Sequence, residues 1–441
     1  MNKILRNILI CTSLAGLKFC PTLFAAAAPK PNIIFILADD YGVGEVSAYG
    51  ADNYKTPHID QLARGGIRFT HAYTPSLCGP SRATILTGRY LFRTGATNQD
   101  ATGQMSSAEI MIPKVLKAAG YVTTMIGKWG QLPLGPGDFG FDDYLHFQGS
   151  GIYWNTQAKG KNYKLNGQSI PLRDNEYLPD LMHAHLVDFI TKNHDRPFYA
   201  YYSLSHVHTE ILPTPDSAPG SQDLYGDNVT YMDKLIGKLI AELERQHLRE
   251  KTLIVFFGDN GTAEQRSNHA TIGGRRLNGA KGSMLEGGSL EPLIVNWPGV
   301  SPAGRICDDL IDSTDFLPTF AAVASAKLPV NTALDGHNFL PQIQGEKGQP
   351  REWVFLQLAN QWYTRNRDWK LTQSGQLYNM SDAPFSEKLV PTNTTDTAAL
   401  AARQSLQSGL AQLNPAGGFV DKGDGTGRHA NKAAKAKKQK L

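Results

Sequence analysis

Three short segments constrain the fold more than anything else in this chain. Asn32-Ile-Ile-Phe-Ile-Leu-Ala38, FYAYYSLS at 198–205 and LIVFF at 253–257 are each apolar along nearly their whole length and end against polar, ionisable residues. A run of strand length with no polar side belongs to the interior of a mostly parallel sheet, covered on both faces. The stretches between these runs read as helices. One opens at Thr56-Pro57, a cap followed by proline at the first helical position, and stops at Gly65-Gly66. Others are expected near 180–193 and 224–247. Strand alternating with helix predicts an α/β fold, a large mostly parallel sheet flanked by helices. Beyond about residue 340 the texture changes to short aromatic and β-branched runs, with Ser374-Gly375 as a turn between WKLT and QLYNM. That region predicts a smaller antiparallel sheet with a helix near 396–412.

The two ends differ from the body. Residues 1–28 carry Lys3, Arg6 and Lys18 without an acid, then an apolar stretch and Ala25–Ala28, the pattern of a cleaved export signal. Lys18 interrupts the apolar run and leaves it too short for a membrane anchor, and neither Cys11 nor Cys20 has the small residues that precede a lipidated cysteine. Residues 414–441 are glycine-rich and then rich in Lys and Ala, a composition of disordered chain. The formal net charge of +4 combines +3 in the leader and +5 in this tail, which leaves −4 on residues 29–413. A mildly acidic body argues against nucleic acid as a partner. The expected organisation is a signal peptide at 1–28, a catalytic domain at 29–340, a smaller subdomain at 341–413 and a basic tail at 414–441. Export places the mature protein in the periplasm or outside the cell. Cys78 and Cys307 remain in the mature chain. They are too few and too far apart for a disulfide framework, so Cys78 is a candidate for chemistry and Cys307 a small buried hydrophobe.

In open α/β sheets, ligands bind beyond the carboxyl ends of the strands. Asp39 and Asp40 follow the first run, Asp259 and Asn260 the third, and His206 and His208 the second. Three carboxylates and an amide oxygen converging there would be costly without a cation, and such hard oxygen donors lean towards calcium. Asp-Asp and Asp-Asn-Gly are also ordinary cap and turn sequences. On a strand, His206 and His208 would share a face, as a satisfied pair, transition-metal ligands or catalysts. In the segment Cys78-Gly79-Pro80-Ser81-Arg82-Ala83-Thr84-Ile85-Leu86-Thr87-Gly88-Arg89, Pro80 suits a helix start. Cys78 would then stand just before the positive end of the helix dipole, with Arg82 one turn along, where an anion is welcome.

This segment resembles the sulfatase signature, C-x-P-S-R followed by T-G-R. The likeness extends through PNIIFILADDYG, TPHIDQLARGGIRFTHAY, FFGDNG and GAKGSMLEGG. The resemblance implies an alkaline phosphatase-like fold and hydrolysis of a sulfate ester. It implies that a separate maturation enzyme converts Cys78 to formylglycine, whose hydrate is the nucleophile. One Ca2+ ion would be bound by Asp39, Asp40, Asp259, Asn260 and the modified Cys78. Arg82 would hold the hydrate, Lys128 and Lys281 the sulfate oxygens, and His208 would protonate the leaving alcohol, with His206 a weaker candidate.

The chain departs from the family pattern twice. A histidine usually follows Gly-Lys-Trp, but here the sequence is Gly127-Lys128-Trp129-Gly130-Gln131, so either another group takes its place, with His206 and His146 as candidates, or sulfate release is slower. After Glu286-Gly287-Gly288 the family tends to an apolar residue, Arg and Val; Ser289-Leu290-Glu291 predicts an altered ion pair. The expected substrate is a sulfated saccharide, read by aromatic and amide groups in 144–157 and by Asn360, Gln361 and Trp362. The competing readings are a phosphodiesterase or phosphonate monoester hydrolase of the same superfamily and a catalytically impaired binder of sulfated glycans.

Overall fold

The computed structural model describes residues 30–149, 151–156 and 161–421. The expected signal peptide lies outside these residues, as does the basic tail from 422. The tail is not irregular from 414 as expected. Pro415–Gly417 form a 3-10 turn, Phe419 N–H donates to Phe92 O at 2.7 Å, and Asn98 Nδ2 donates to Asp421 at 2.8 Å. Those bonds hold the chain to the body for longer than composition suggests. Among the described residues, no helix is long and apolar enough to cross a membrane.

In chain order the first eight strands are β1 (Asn32–Ala38), β2 (Ile67–Tyr73), β3 (Val122–Gly130), β4 (Asp143–Gln148), β5 (Asn162–Leu165), β6 (Gln168–Pro171), β7 (Phe198–Leu204) and β8 (Thr252–Gly258). A short hairpin of β9 (Thr271–Ile272) and β10 (Arg275–Arg276) precedes β11 (Leu290–Asn296) and β12 (Arg305–Asp312). Ten of these form one sheet in the order β12-β2-β11-β8-β1-β7-β3-β4-β5-β6. The central five, β8-β1-β7-β3-β4, are all parallel, while β11 runs antiparallel to both its neighbours.

The alternation inside β1 explains its continuous apolar run. Ile33, Phe35 and Leu37 join one core and Ile34, Ile36 and Ala38 the other, so each face of the sheet is covered. Helices Cys78–Thr87, Ile112–Ala118 and Phe316–Val323 contribute to the first core, and Pro57–Arg64, Leu178–Lys192 and Leu224–Arg245 to the second. The Leu224–Arg245 helix buries Val229, Met232, Ile236, Leu239 and Leu243 at helical spacing, and Asp223 caps it by accepting from Gly226 N–H. Thr56 occupies the cap position of Pro57–Arg64, but its hydroxyl is bonded to Ser47 and Asp60 instead of capping.

A second sheet of β13 (Val354–Leu358), β14 (Gln361–Arg365), β15 (Trp369–Thr372), β16 (Leu377–Asn379) and β17 (Lys388–Leu389) is antiparallel throughout. The helix Thr397–Leu413 packs on it through Ala399 and Leu406. In the large sheet, Ala38 stands opposite both Leu204 and Gly258, so β1, β7 and β8 release their next residues at one edge.

Candidate active site

Successive side chains on a strand point to opposite faces, so Asp39 and Asp40 could not both serve one site in regular β geometry. Asp40 adopts φ +56°, a left-handed conformation that aspartate tolerates, and this turns the second carboxylate back towards the first. Asp259 N–H donates to Ala38 O at 2.9 Å, and Asp40 N–H donates to Asp259 Oδ1 at 3.1 Å. Asn260 Nδ2 donates to Asp40 Oδ1 at 2.9 Å. The two strand ends are thus locked together through their own metal-type side chains.

Cys78 is the first residue of its helix, with Leu77 at the cap, rather than the residue before it. Gly79 is required by close packing, because a Cβ there would lie 2.9 Å from Thr102 Oγ1. The Cys78 Sγ lies 3.3 Å from Asp39 Oδ1 and 3.6 Å from Asp40 Oδ1. Lys281 Nζ approaches the same sulfur to 3.4 Å while contacting Asp40 Oδ1. Lys128 Nζ donates to Asp39 at 2.8 and 2.6 Å. Arg82 is fully buried and differs from its expected role. Its Nε and Nη2 donate to Asp259 Oδ2 at 3.1 and 2.7 Å, and its Nη1 to Lys128 O and Ser203 Oγ at 2.9 and 2.5 Å. The guanidinium braces the helix against three strand ends.

One ligand atom each from Asp39, Asp40, Cys78 and His208 lies within 4.8 Å of all the others. Asp259 and Asn260 join this group through their bonds to Asp40. The residues fit a hard cation on two counts. The Asn260 side-chain oxygen is buried without a hydrogen-bond partner. Three carboxylates and that amide converge, the oxygen donors a hard cation takes; burial, then the charge of Asp39, pushes the Asp259 carboxyl up to about 7 despite Arg82. Burial would likewise raise Asp39, but the Lys128 ammonium, with His208, Arg82 and Lys281, holds it far below the usual carboxylate range. Burial, then Asp259, keeps the Cys78 thiol well above its ordinary value, so this setting does not prepare a thiolate.

The two histidines separate. The strand ends at Leu204, and Val207 sits at φ +67°, unusual for a β-branched residue, so the rings of His206 and His208 do not share a face. His208 Nδ1 bonds Thr209 O at 2.9 Å and must therefore donate there. Its Nε2 is left 3.8 Å from Asp40 Oδ2. His206 instead lies in a nest of Tyr153, Tyr177 and Tyr231 with ring centroids 6.1–6.3 Å away, and burial pushes it down to about 3. His146 stands within β4, its ring 5.7 Å from Tyr144, and does not belong to the donor group round Cys78. Gly130, where a histidine was expected, has φ +76°, and a Cβ would meet Arg82 Cδ at 3.2 Å. A side chain there would be strained and pressed against the brace.

Sequence reading missed what holds Lys281 in place. Its loop is tied to the large sheet by Lys281 N–H to Thr262 O at 3.0 Å and Gly282 N–H to Ser76 O at 2.8 Å. It is tied to the second sheet by a buried ion pair of Glu286 with Arg365 at 2.5 Å and by Lys370 Nζ to Met284 O at 2.7 Å. Leu290, at the departure noted above, opens β11, and the counter-ion of Glu286 comes from Arg365. Tyr153 is buried and donates to Ser205 O at 2.5 Å and His208 O at 2.9 Å, so it supports the histidine turn and offers no surface for a sugar.

With this geometry in hand, comparison with known proteins is direct. The Sulfatase family profile matches residues 31–326. Human arylsulfatase A is 36% identical over 364 residues, spanning 75% of this chain and 71% of that protein. The dog N-acetylgalactosamine-6-sulfatase is 32% identical over 375 residues, covering 77% and 70%. The crystal structure of Ps i-CgsB in complex with k-i-k-neocarrahexaose superposes with a TM-score of 0.75 at 28% identity, covering 87% of this chain and 92% of that one. The curated relatives named here are sulfatases, enzymes that hydrolyse sulfuric esters. The chain belongs to the sulfatase family and has its alkaline phosphatase-like fold.

Proposed function

We propose that the protein removes sulfate from a sulfated carbohydrate through a formylglycine hydrate made from Cys78, with Ca2+ held by Asp39, Asp40, Asp259, Asn260 and residue 78. The observation that carries this reading is the convergence of Cys78 with two carboxylates and Lys281 within 3.3–3.6 Å. When bound, the cation would supply positive charge against sulfate oxygens and acidify a neighbouring hydroxyl. The rest of the chemistry falls to the chain's own side chains. A sulfate ester is an anion that repels nucleophiles, so Lys128 and Lys281 offset charge on its oxygens. Lys281 keeps a side-chain exposure of 11% against 1% for Lys128, so it faces the arriving ester.

One hydroxyl of the hydrate loses its proton to solvent and its oxygen attacks sulfur, the bond from sulfur to the substrate oxygen breaks, and His208 gives that leaving oxygen a proton. The second hydroxyl then loses its proton, the bond from carbon to the sulfate oxygen breaks with its electrons leaving on sulfate, and the aldehyde returns. Water restores the hydrate. A serine or cysteine has no second hydroxyl with which to expel sulfate. The bare Gly130 leaves that step to groups already present, so sulfate release is the slower half. A carbohydrate substrate is favoured by the similarity to Ps i-CgsB, whose structure was solved in complex with k-i-k-neocarrahexaose. Export and a maturation enzyme acting on Cys78 complete the proposal.

The test is to offer a sulfate and a phosphate ester of one aryl alcohol to matured protein, with and without a chelator. Sulfate release that falls at least about a hundredfold on chelation and returns with Ca2+ is expected. Faster phosphate release would make it a phosphohydrolase, and binding without turnover of sulfated saccharides would make it a glycan receptor.

A further inference from the structure

The first turn of the helix that carries Cys78 is held by a side chain with no part in the hydrolysis described above. Gly79 N–H, one of the free donors of that turn, is accepted by Gln99 Oε1 at 3.1 Å. Gly79 follows Cys78 directly, so this bond lies at the end of the helix where the ester must arrive. A main-chain N–H can meet only the oxygen of the amide, which fixes the way the Gln99 amide faces. Its Nε2 is left with two N–H groups and, among the described residues, no acceptor for either. The C=O and C–N bond lengths keep Nε2 within about 6 Å of Gly79 N. Gln99 is partly exposed, so a ligand can reach it.

The chain on both sides of Gln99 is fixed. Thr97 O accepts Ala359 N–H at 2.6 Å, Asn98 Oδ1 accepts Ala101 N–H at 2.7 Å, and Asn98 O accepts the Thr102 hydroxyl at 2.8 Å. A donor set in place beforehand loses little freedom when it binds. We propose that Gln99 is a substrate-orienting residue, whose Nε2 donates to a hydroxyl or ring oxygen of the sugar that carries the sulfate. This assignment rests on the carbohydrate reading above. The charge of the loop selects a neutral oxygen over a second sulfate. Asp100 is the one charged residue in 96–104, and it is exposed. Another anionic group would be repelled by that carboxylate, whereas a hydroxyl accepts from the amide without such a penalty.

Two substitutions separate a donor to substrate from a cap on the helix. Gln99→Glu keeps an oxygen for Gly79 N–H and removes both donors, while Gln99→Met removes donors and acceptor at similar length. Matured wild type and both variants are assayed on a small aryl sulfate, which has no sugar oxygens. They are also assayed on the best substrate from a panel of sulfated mono- and oligosaccharides. The quantity read is the ratio of kcat/KM on the saccharide to kcat/KM on the aryl sulfate, in which losses of folding, maturation or helix geometry cancel. That ratio should fall about five- to tenfold in both variants. An unchanged ratio in either variant would overturn the role of Gln99. Wild type that turns over the aryl sulfate but no saccharide of the panel would instead overturn the carbohydrate reading.

Discussion

The two sheets contribute to the reaction centre by different physics. The large sheet supplies side chains directly. β1, β8 and the turn after β7 deliver Asp39, Asp40, Asp259, Asn260 and His208 to one edge, each one to four residues beyond a strand whose position two cores fix. The second sheet acts on the loop that carries Lys281, through a buried ion pair and a lysine clamp on a main-chain oxygen. On the proposed reading the chemistry sits on the rigid frame, and the smaller sheet positions the loop that carries one cation. Rigid strand ends suit groups that must hold a metal within tenths of an ångström.

Removing a group of the first kind should cost more than removing a brace of the second kind. Lys281→Ala is expected to lower kcat on an aryl sulfate by roughly 10²–10³ with little change in stability. Arg365→Gln leaves Glu286 buried and unpaired, so it should destabilise the fold by about 3–5 kcal/mol and lower kcat about tenfold. Adding Glu286→Gln to it should restore part of both, as measured by chemical denaturation and initial rates. Equal kcat losses for Lys281→Ala and Arg365→Gln at full folding would erase the distinction between the sheets.

The turn after β7 sharpens the comparison within one sheet. His208→Ala should slow an alkyl sulfate about a hundredfold but a nitrophenyl sulfate less than about tenfold, because the better leaving group needs no proton. A uniform loss would remove its role as the acid. His206, two residues away, should behave as a core residue. Its folded-state value, pushed down to about 3, lies below the ordinary 6.5, so the neutral ring contributes stability above about pH 6.5. That contribution is lost as the pH falls from there towards 3. His206→Phe should therefore flatten the acid side of the melting-temperature profile and leave kcat within about twofold. A loss of kcat larger than that, at unchanged stability, would return His206 to the chemistry.

Much of this was legible in the chain. Asn32–Ala38 and 253–257 announced buried parallel strands because nothing polar interrupts them, and the cysteine motif announced the helix that faces them. Asp40 was legible as a candidate, but not the positive φ that turns it beside Asp39. The pairing of His206 with His208 failed because alternation holds only while the chain stays extended, and Val207 ends that. Arg82 reads in the sequence as an anion-binding arginine, yet its donors are taken by Asp259, Lys128 O and Ser203. The Arg365–Glu286 pair joins residues of two sheets, and no local pattern carries such a contact.

The account stands on residue 78 being an aldehyde hydrate in the working enzyme. Mass spectrometry of the tryptic peptide Phe69–Arg82, from protein matured with a formylglycine-generating enzyme, tests this directly. The account predicts that the aldehyde fraction of residue 78 rises in proportion to specific activity and that protein carrying only the thiol is inactive. Full sulfatase activity from protein whose residue 78 is entirely cysteine would contradict it.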